Sequence, residues 1–491
     1  AATWTFAQGQ GGQRLVVQTA EQFELNLNAL LHHTYWPMER NEWTSGNQTE
    51  LDMLTDDGQN RNSPGRFLID GVNSDYPLSV RMWDITYTGI NRCNKIITEL
   101  RKHEGRIEQA RYDRIMANAR FYRACFYARI MIHFGDPVVV PEDMDMDSEQ
   151  GRESAYELTR SDMWTVLPDI LKEFDDVAPI LPVSYGGEIE RATRGAAMAP
   201  QGPSAAFEAS KLVNPSNDAA KWQAAADAAK AVIEKEAQAG YDLFGDYRKL
   251  FLPANEHNCE CVFNIEFSKT KNTAVNSFNV YSVQYRNNAP LLDLVMDYRT
   301  TTDGAATMGK YDNLDPRFAA TNFYPGSTFL GKANCPAGEV CQFTGFAHRK
   351  LTIYDAQKRD SDDSNGETNY MFIRYADVLL MFAEAQNEVD ATPSDAVYDA
   401  VNRVRGRVGM PTYAYGSKNQ SEMREIIRHE RRVEFAGEGL YYNDIRRWMT
   451  AELVMNAVIQ DYAGTDIAVR AFDPDRDYWW PVPADQILLN K

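Results

Sequence analysis

Glu430, Arg431, Glu434 and Glu438 recur at roughly helical spacing, and Asp444, Arg446 and Arg447 follow just beyond them. Two carboxylates on one helix face could act as general acid and base. The same residues could instead form ion pairs pinning one helix hairpin to the next, since Arg–carboxylate forks suit that geometry. The ion-pair reading is preferred, and Arg374, Asp377 and Glu384 are read the same way. His429-Glu430 is not HExxH, because no second His follows at i+4. Residues 326–333, GSTFLGKA, nearly spell a phosphate-binding loop. Ala333 lacks the hydroxyl that would hold magnesium, and neither a strand nor a helix is expected to flank it. No G-x-S-x-G nucleophile elbow occurs. Cys259-Glu260-Cys261 offers two thiols, too few for a tetrahedral zinc site. Cys335 and Cys341 flank a Pro-Gly loop and could close a small disulfide in an oxidising compartment. Cys93 and Cys125 fall in apolar helical patterns and read as buried thiols.

The elements around these residues are mostly helical. Apolar stripes predict helices over 19–33, 78–100, 106–134, 153–177, 216–239, 371–389, 393–408, 419–437 and 441–458. Phe121, Ala124, Cys125, Ala128 and Ile132 give the clearest stripe, stopped by Gly135-Asp136-Pro137. Residues 36–75 are rich in Asn, Asp, Gly and Ser and carry Trp36, Trp43 and Phe67. So long a connection tends to be functional or disordered. Residues 259–350 break into short apolar runs such as CVFNIEF, read as loops with a few strands. The chain is thus expected to be mainly α. It should form a tetratricopeptide-like helix-hairpin scaffold with loop-rich insertions, although no strict 34-residue repeat is visible.

The chain has 491 residues, with 70 acids against 51 bases and a net charge of −19. Nucleic acid and anionic lipid need basic patches and are poor partners for such a chain. No apolar run reaches the length of a membrane span. The chain opens Ala1-Ala2-Thr3-Trp4 without Met, which reads as a trimmed or mature form. Nine Trp, 25 Tyr and 22 Phe supply stacking surfaces as well as core.

Two stretches resemble the SusD/RagB family of surface glycan-binding lipoproteins of Bacteroidetes. One is ARFYRACFYARIMIHFGDPVVVPE (119–142). The other runs from FIRYADVLLMFAEAQNEV (372–389) through AVNRVRGRVGMP (400–411) to IIRHERRVEFAGEGLYYNDIRRW (426–448). Trp480-Pro481-Val482-Pro483 matches the family's closing signature, and Trp83, Tyr87, Ile90 and Asn91 its early helix motif. Residues 191–212 depart from the pattern: Pro200 and Pro203 interrupt a helix the family keeps whole, so it should be kinked or broken. Trp448 and Trp480 are expected to be packing anchors.

The resemblance implies one unit over 1–491. Its parts would be an N-terminal helical part (19–258) with binding loops at 36–81, a loop-rich middle (259–370) and a C-terminal helical part (371–491). It implies a non-catalytic, outward-facing outer-membrane lipoprotein. That protein would bind a poly- or oligosaccharide and deliver it to a SusC-like TonB-dependent transporter. Glycans need aromatic faces for stacking and polar side chains for their hydroxyls, because buried unpaired polar groups are costly. The candidates are Trp36, Glu39, Asn41, Trp43, Asp75, Tyr76, Arg81, Trp83, Asn279, Tyr281, Tyr285 and Tyr324. No cofactor or metal is expected, although a structural calcium has room in the Asp-rich stretch 360–367. Peptide or other nutrient capture by the same mechanism, and glycoside hydrolysis, are the alternatives.

Overall fold

The computed structural model describes residues 19–34, 48–61, 71–184, 192–199, 201–267, 278–279, 282, 288–331, 343–354 and 366–489. The first helices follow the apolar stripes. Helix α1 is Ala20–Thr34, with Phe23, Leu27 and Leu30 buried. Helix α2, Pro77–Arg101, opens on a Pro, where the missing N–H is not needed. Helix α3, Gln109–Phe134, is capped by the Glu108 carboxylate, which accepts from the Ala110 and Arg111 N–H groups. It ends at Gly135, whose φ of 75° suits a glycine. Gly89 lets α2 and α3 approach closely. A Cβ there would lie 2.4 Å from the Phe126 ring.

Three expected helices are divided. The stretch expected over 153–177 becomes α4 (Glu149–Ala155) and α5 (Met163–Val177). Between them Arg160 forms a β-bridge with Val138 and its guanidinium donates to the Phe134 and Asp136 carbonyls. These bonds hold the chain off a helical path until Asp162 caps α5. The Pro-interrupted stretch becomes α6 (Arg194–Met198) and α7 (Gln201–Ala209), as the prolines imply. Helices α8 (Ala219–Ile233) and α9 (Glu236–Ala239) follow.

Short antiparallel ladders punctuate the middle of the chain. Strand β1 (Gly58–Gln59) pairs with β3 (Ala289–Pro290), and β2 (Cys261–Ile265) with β6 (Tyr370–Arg374). Strand β4 (Asn322–Phe323) pairs with β5 (Ala347–His348). Helices α10 (Leu292–Asp297) and α11 (Pro316–Thr321) lie among them. The helix expected from 371 starts only at Tyr375, because the four residues before it are drawn into the ladder with β2. It is α12 (Tyr375–Val389), followed by α13 (Asp395–Arg407) and α14 (Gln420–Phe435). A reciprocal Asn419–Glu422 capping box starts α14. The expected 441–458 helix divides at Met449, whose φ is 57°, into α15 (Tyr441–Arg447) and α16 (Ala451–Val454). The chain then forms the hairpin β7 (Val458–Gln460) and β8 (Asp466–Val469) and ends in α17 (Ala484–Leu489).

The architecture is mainly α, a helix-hairpin scaffold with short strand pairs, as the sequence implies. Helix α12 is its centre and packs against α7, α8, α13 and α14. Every residue from Tyr375 to Ala385 is buried, so this helix is covered all round. A second cluster joins Trp83 and Phe134 to Tyr442, Trp448 and Trp480. The Trp480 indole donates to the Tyr442 hydroxyl at 2.8 Å, and its N–H donates to the His133 carbonyl at 2.8 Å. Trp448 is 5% and Trp480 2% exposed, so both are anchors.

Candidate functional site

The acid-rich motif of α14 is the first candidate to examine. Glu430 and Glu434 are both 0% exposed. Arg317 lies 2.5 Å from Glu430 and 3.1 Å from Glu434, and Arg405 reaches Glu430 at 2.9 Å. Arg374 bridges Glu434 at 3.0 Å, Glu438 at 2.8 Å and Glu260, and Arg407 joins Glu260 at 2.8 Å. Burial alone would raise the Glu434 carboxyl, but Arg407, Arg374 and Arg317 hold it well below the usual carboxylate range. One layer away, Glu384 accepts from Arg447 at 2.6 and 2.5 Å and from the Trp448 indole at 2.7 Å. Burial pushes Glu384 up, and Arg447 and Arg431 outweigh it, leaving a pKa of about 2. Arg431 pairs with Asp377 at 2.8 Å and Asp444 at 2.9 Å. These carboxylates are guanidinium-bound and sealed from solvent. Such groups cross-link α11, α12, α13, α14, α15 and β6, and none is placed to exchange a proton with a bound substrate.

The same network positions the candidate binding segments. Arg432 of α14 holds Asp57 at 2.7 Å and Asp56 at 2.8 Å. The Gly439 N–H donates to Asp52 at 2.8 Å. Arg470 donates to the Gly58 carbonyl at 2.6 Å and to Gln59 at 2.8 Å. Burial pushes the Asp52 carboxyl up to about 7, against the pull of the Gly439 N–H and Lys350. The segment so fixed, 48–59, lies within one predicted binding stretch. Its strand β1 pairs with β3, which follows the candidates Asn279, Tyr281 and Tyr285 in the sequence. Asn288 donates to the Thr49 hydroxyl at 2.6 Å, and the Leu291 N–H donates to the Asp57 carbonyl at 3.0 Å. Residues 48–59 and 288–291, over two hundred residues apart, therefore share one clamp.

The individual candidates divide. Trp36, Glu39, Asn41, Trp43, Tyr281 and Tyr285 lie outside the described residues, as do Cys335, Cys341 and residues 360–365 of the Asp-rich stretch. Asp75 is exposed in the turn before α2, its N–H donating to Asn73 at 3.2 Å. Tyr76 is half-buried at the start of α2, and Arg81 is half-buried one turn on. Trp83 leaves the set of ligand contacts: it is 6% exposed, its ring 4.7 Å from Tyr87 and 5.1 Å from Phe134. Asn279 leaves it too, buried with its side-chain oxygen accepting from the Ile353 N–H at 3.1 Å. Tyr324 is half-buried, its ring 4.8 Å from Phe318 and 5.2 Å from Tyr311. The C-terminal segment joins this face, since the Ala484 N–H donates to the Ser74 carbonyl at 3.2 Å.

Sequence reasoning passed over Asp52, Asp56, Asp57 and Arg432, the residues that hold the face together. The signal available was three acids in the short run Leu51–Gly58, inside a stretch read only for its aromatics. It also read Cys259-Glu260-Cys261 for its thiols. The thiols are free, and the structural weight falls on Glu260 between them. Cys93 is buried; Cys125 is half-buried by exposure, with burial pushing its thiol up to about 12. Among the described residues no group of three or more His, Cys, Asp or Glu is arranged to hold a metal ion. No described helix is long and apolar enough to cross a membrane.

Comparison with known proteins places the chain. Residues 259–491 match the profile described as the SusD family, and residues 17–201 match one described as "Starch-binding associating with outer membrane". A SusD-like protein of Formosa agariphila is 27% identical over 439 residues, covering 83% of this chain and 76% of the relative. A crystal structure of a SusD-like carbohydrate-binding protein from Bacteroides fragilis superposes with a TM-score of 0.82. It is 22% identical, with 96% of this chain and 98% of that chain covered. A laminarin-binding SusD-like protein superposes with a TM-score of 0.70 at 21% identity, over 96% of this chain and 98% of that one. These structures share the fold.

Proposed function

We propose that this chain, which belongs to the SusD/RagB family, is a non-catalytic cell-surface protein that binds a poly- or oligosaccharide and hands it to a TonB-dependent outer-membrane transporter. The β1–β3 pairing supports the reading: it joins residues 58–59, within the 36–81 stretch, to residues 289–290, which follow Asn279, Tyr281 and Tyr285 in the sequence. Trp36, Trp43, Tyr281 and Tyr285 supply stacking faces, and Glu39, Asn41, Asp75, Arg81 and Tyr76 meet hydroxyls. Tyr324 lies on the neighbouring α10–α11 cluster and extends the surface. Laminarin binding by a protein of the same fold makes a β-glucan the first polymer to try. The burial of Glu430, Glu434 and Glu384 in guanidinium forks supports a binding role over glycoside hydrolysis, which needs two accessible carboxyl groups flanking the bond. Affinity in the millimolar to micromolar range, about 4–8 kcal/mol, suits capture and release. Repeated units of a polymer would then add avidity.

Affinity electrophoresis against laminarin and other β-glucans, α-glucans, fructans and mannans tests the reading, with Trp36→Ala, Trp43→Ala and Tyr281→Ala alongside. Retardation by one polymer, lost in a variant and without release of reducing sugar, is the expected result. No retardation by any polymer would turn the reading toward peptides or another nutrient. Reducing-sugar release would overturn the non-catalytic reading.

A further inference from the structure

A concavity lies on the C-terminal helices. It has a volume of about 360 Å³, within the range of small-molecule sites. One wall is the first turns of α14, presenting Ser421, Glu422, Glu425 and Ile426. The α13–α14 connection contributes Tyr413 and Lys418, and the turn after α10 contributes Arg299 and Asp303. Asp303 is a non-glycine residue with φ of 65°. Its carboxylate is fixed from behind: Arg405, 0% exposed, reaches one oxygen at 3.0 Å, and the Tyr413 hydroxyl donates to the other at 2.9 Å. Burial would raise Asp303, but Arg405 and Tyr413 hold its carboxyl low.

We infer that this concavity is a second saccharide site, built to hold the neutral hydroxyls of one or two sugar units. The chemistry of the walls selects the ligand. A free anion would meet Asp303, Glu422 and Glu425, and a free cation would meet Arg299 and Lys418. An apolar ligand would strip water from all five charges without replacing it. A sugar hydroxyl donates and accepts at once, so adjacent hydroxyls can bridge carboxylate and cation. Asp303 Oδ1 accepts from Arg405 at 3.0 Å and from Arg299 at 3.4 Å, whereas Oδ2 accepts from the Tyr413 hydroxyl and keeps a lone pair for a ligand hydroxyl. Arg299 touches Asp303 only at 3.4 Å, leaving its fork available. Lys418 lies over the Tyr413 ring at 5.2 Å, and its ammonium is in no ion pair among the described residues. Arg405 sits 4.7 Å from the same ring. Two cations thus lie over the Tyr413 ring and compete with a sugar for it, so the site recognises hydroxyls. It draws its ligand class from its own walls and extends the proposed function to a separate location.

Calorimetry on the full chain tests this, using laminaribiose, cellobiose, maltose and mannobiose as probes, with glycylglycine and glucuronate as zwitterionic and anionic probes. The variant is Lys418→Ala with Glu425→Ala. The expected result is that one disaccharide binds the wild type, and binds the Lys418/Glu425 variant at least about tenfold more weakly. Polymer retardation and the melting temperature of that variant should be unchanged. Equal disaccharide binding by the variant, no disaccharide binding, or preferential binding of glycylglycine or glucuronate would overturn the inference. The proposed function fails separately, by the absence of polymer retardation.

Discussion

Replacing Glu384 with Gln removes one charge from a buried group and leaves its volume almost unchanged. In the native protein Arg447 grips this carboxylate with two bonds of 2.6 and 2.5 Å, the Trp448 indole adds a third, and Arg431 lies 4.0 Å away. The pKa falls from an ordinary 4.5 to about 2. At about 1.4 kcal/mol per unit, that depression corresponds to roughly 3 kcal/mol of stability at neutral pH. Breaking a buried pair by removing one partner costs about 3–5 kcal/mol in general, so the two routes agree. The carboxyl is depressed on folding. Its contribution is therefore present above the unfolded pKa and is lost as pH falls through the folded one. Urea unfolding followed by tryptophan emission should show Glu384→Gln less stable by about 3 kcal/mol at pH 7. The gap should shrink below pH 4.5 and fall to less than half by about pH 3. Replacing both partners with apolar residues, Glu384→Leu with Arg447→Met, should recover part of the loss, because no charge is left stranded. A gap below about 1 kcal/mol at pH 7, or one that does not change between pH 7 and pH 3, would refute the reasoning.

Asp52→Asn tests the opposite sign. Its carboxyl is raised on folding to about 7, so ionising it costs stability as pH rises from the usual range through 7. The variant should match the wild type near pH 4 and exceed it above pH 7, by up to about 4 kcal/mol, in thermal melts across pH. Arg432→Met strands Asp56 and Asp57 and should cost about 3–5 kcal/mol. Hydrogen exchange should rise across 48–59 and stay slow in α12, and unchanged exchange at 48–59 would contradict the clamp. Gly89→Ala drives a methyl into the Phe126 ring and should cost about 1–3 kcal/mol in urea unfolding.

Local signals made the helices legible. The stripe from Phe121 to Ile132, the stop at Gly135 and the break imposed by Pro200 and Pro203 all act within a few residues. The ion-pair reading of Glu430, Glu434 and Arg374 was legible for the same reason, since acids and bases at helical spacing need partners. Elements set by distant partners were not. Residues 371–374 carry a helical stripe and still pair with β2, because Cys261–Ile265 offers a ladder that no local window contains. Arg160 diverts its segment by bonding to the end of α3, which spacing alone cannot show. Trp83 stood beside an aromatic loop and was given a ligand role, yet its ring is enclosed by Tyr87 and Phe134 from the same and the next helix. The meeting of 48–59 with 288–291 depends on Arg432 and Arg470, roughly four hundred residues further along than the groups they hold.

That separation has a consequence for how the protein matures. Arg432 and Asp57 are 375 positions apart, and Arg470 and Gly58 are 412 apart. Closing so long a loop costs about 5 kcal/mol of chain entropy before any contact repays it. A ribosome must release almost the whole chain before these bonds can form, and a chain exported in extended form must emerge almost entirely. Helices α2 and α3 can assemble early from their own contacts, whereas segment 48–59 is locked only when the C-terminal helices arrive. Each molecule is thus tested for completeness by its own geometry: a chain cut short before Arg432 would carry segment 48–59 but lack the residues that hold it in place.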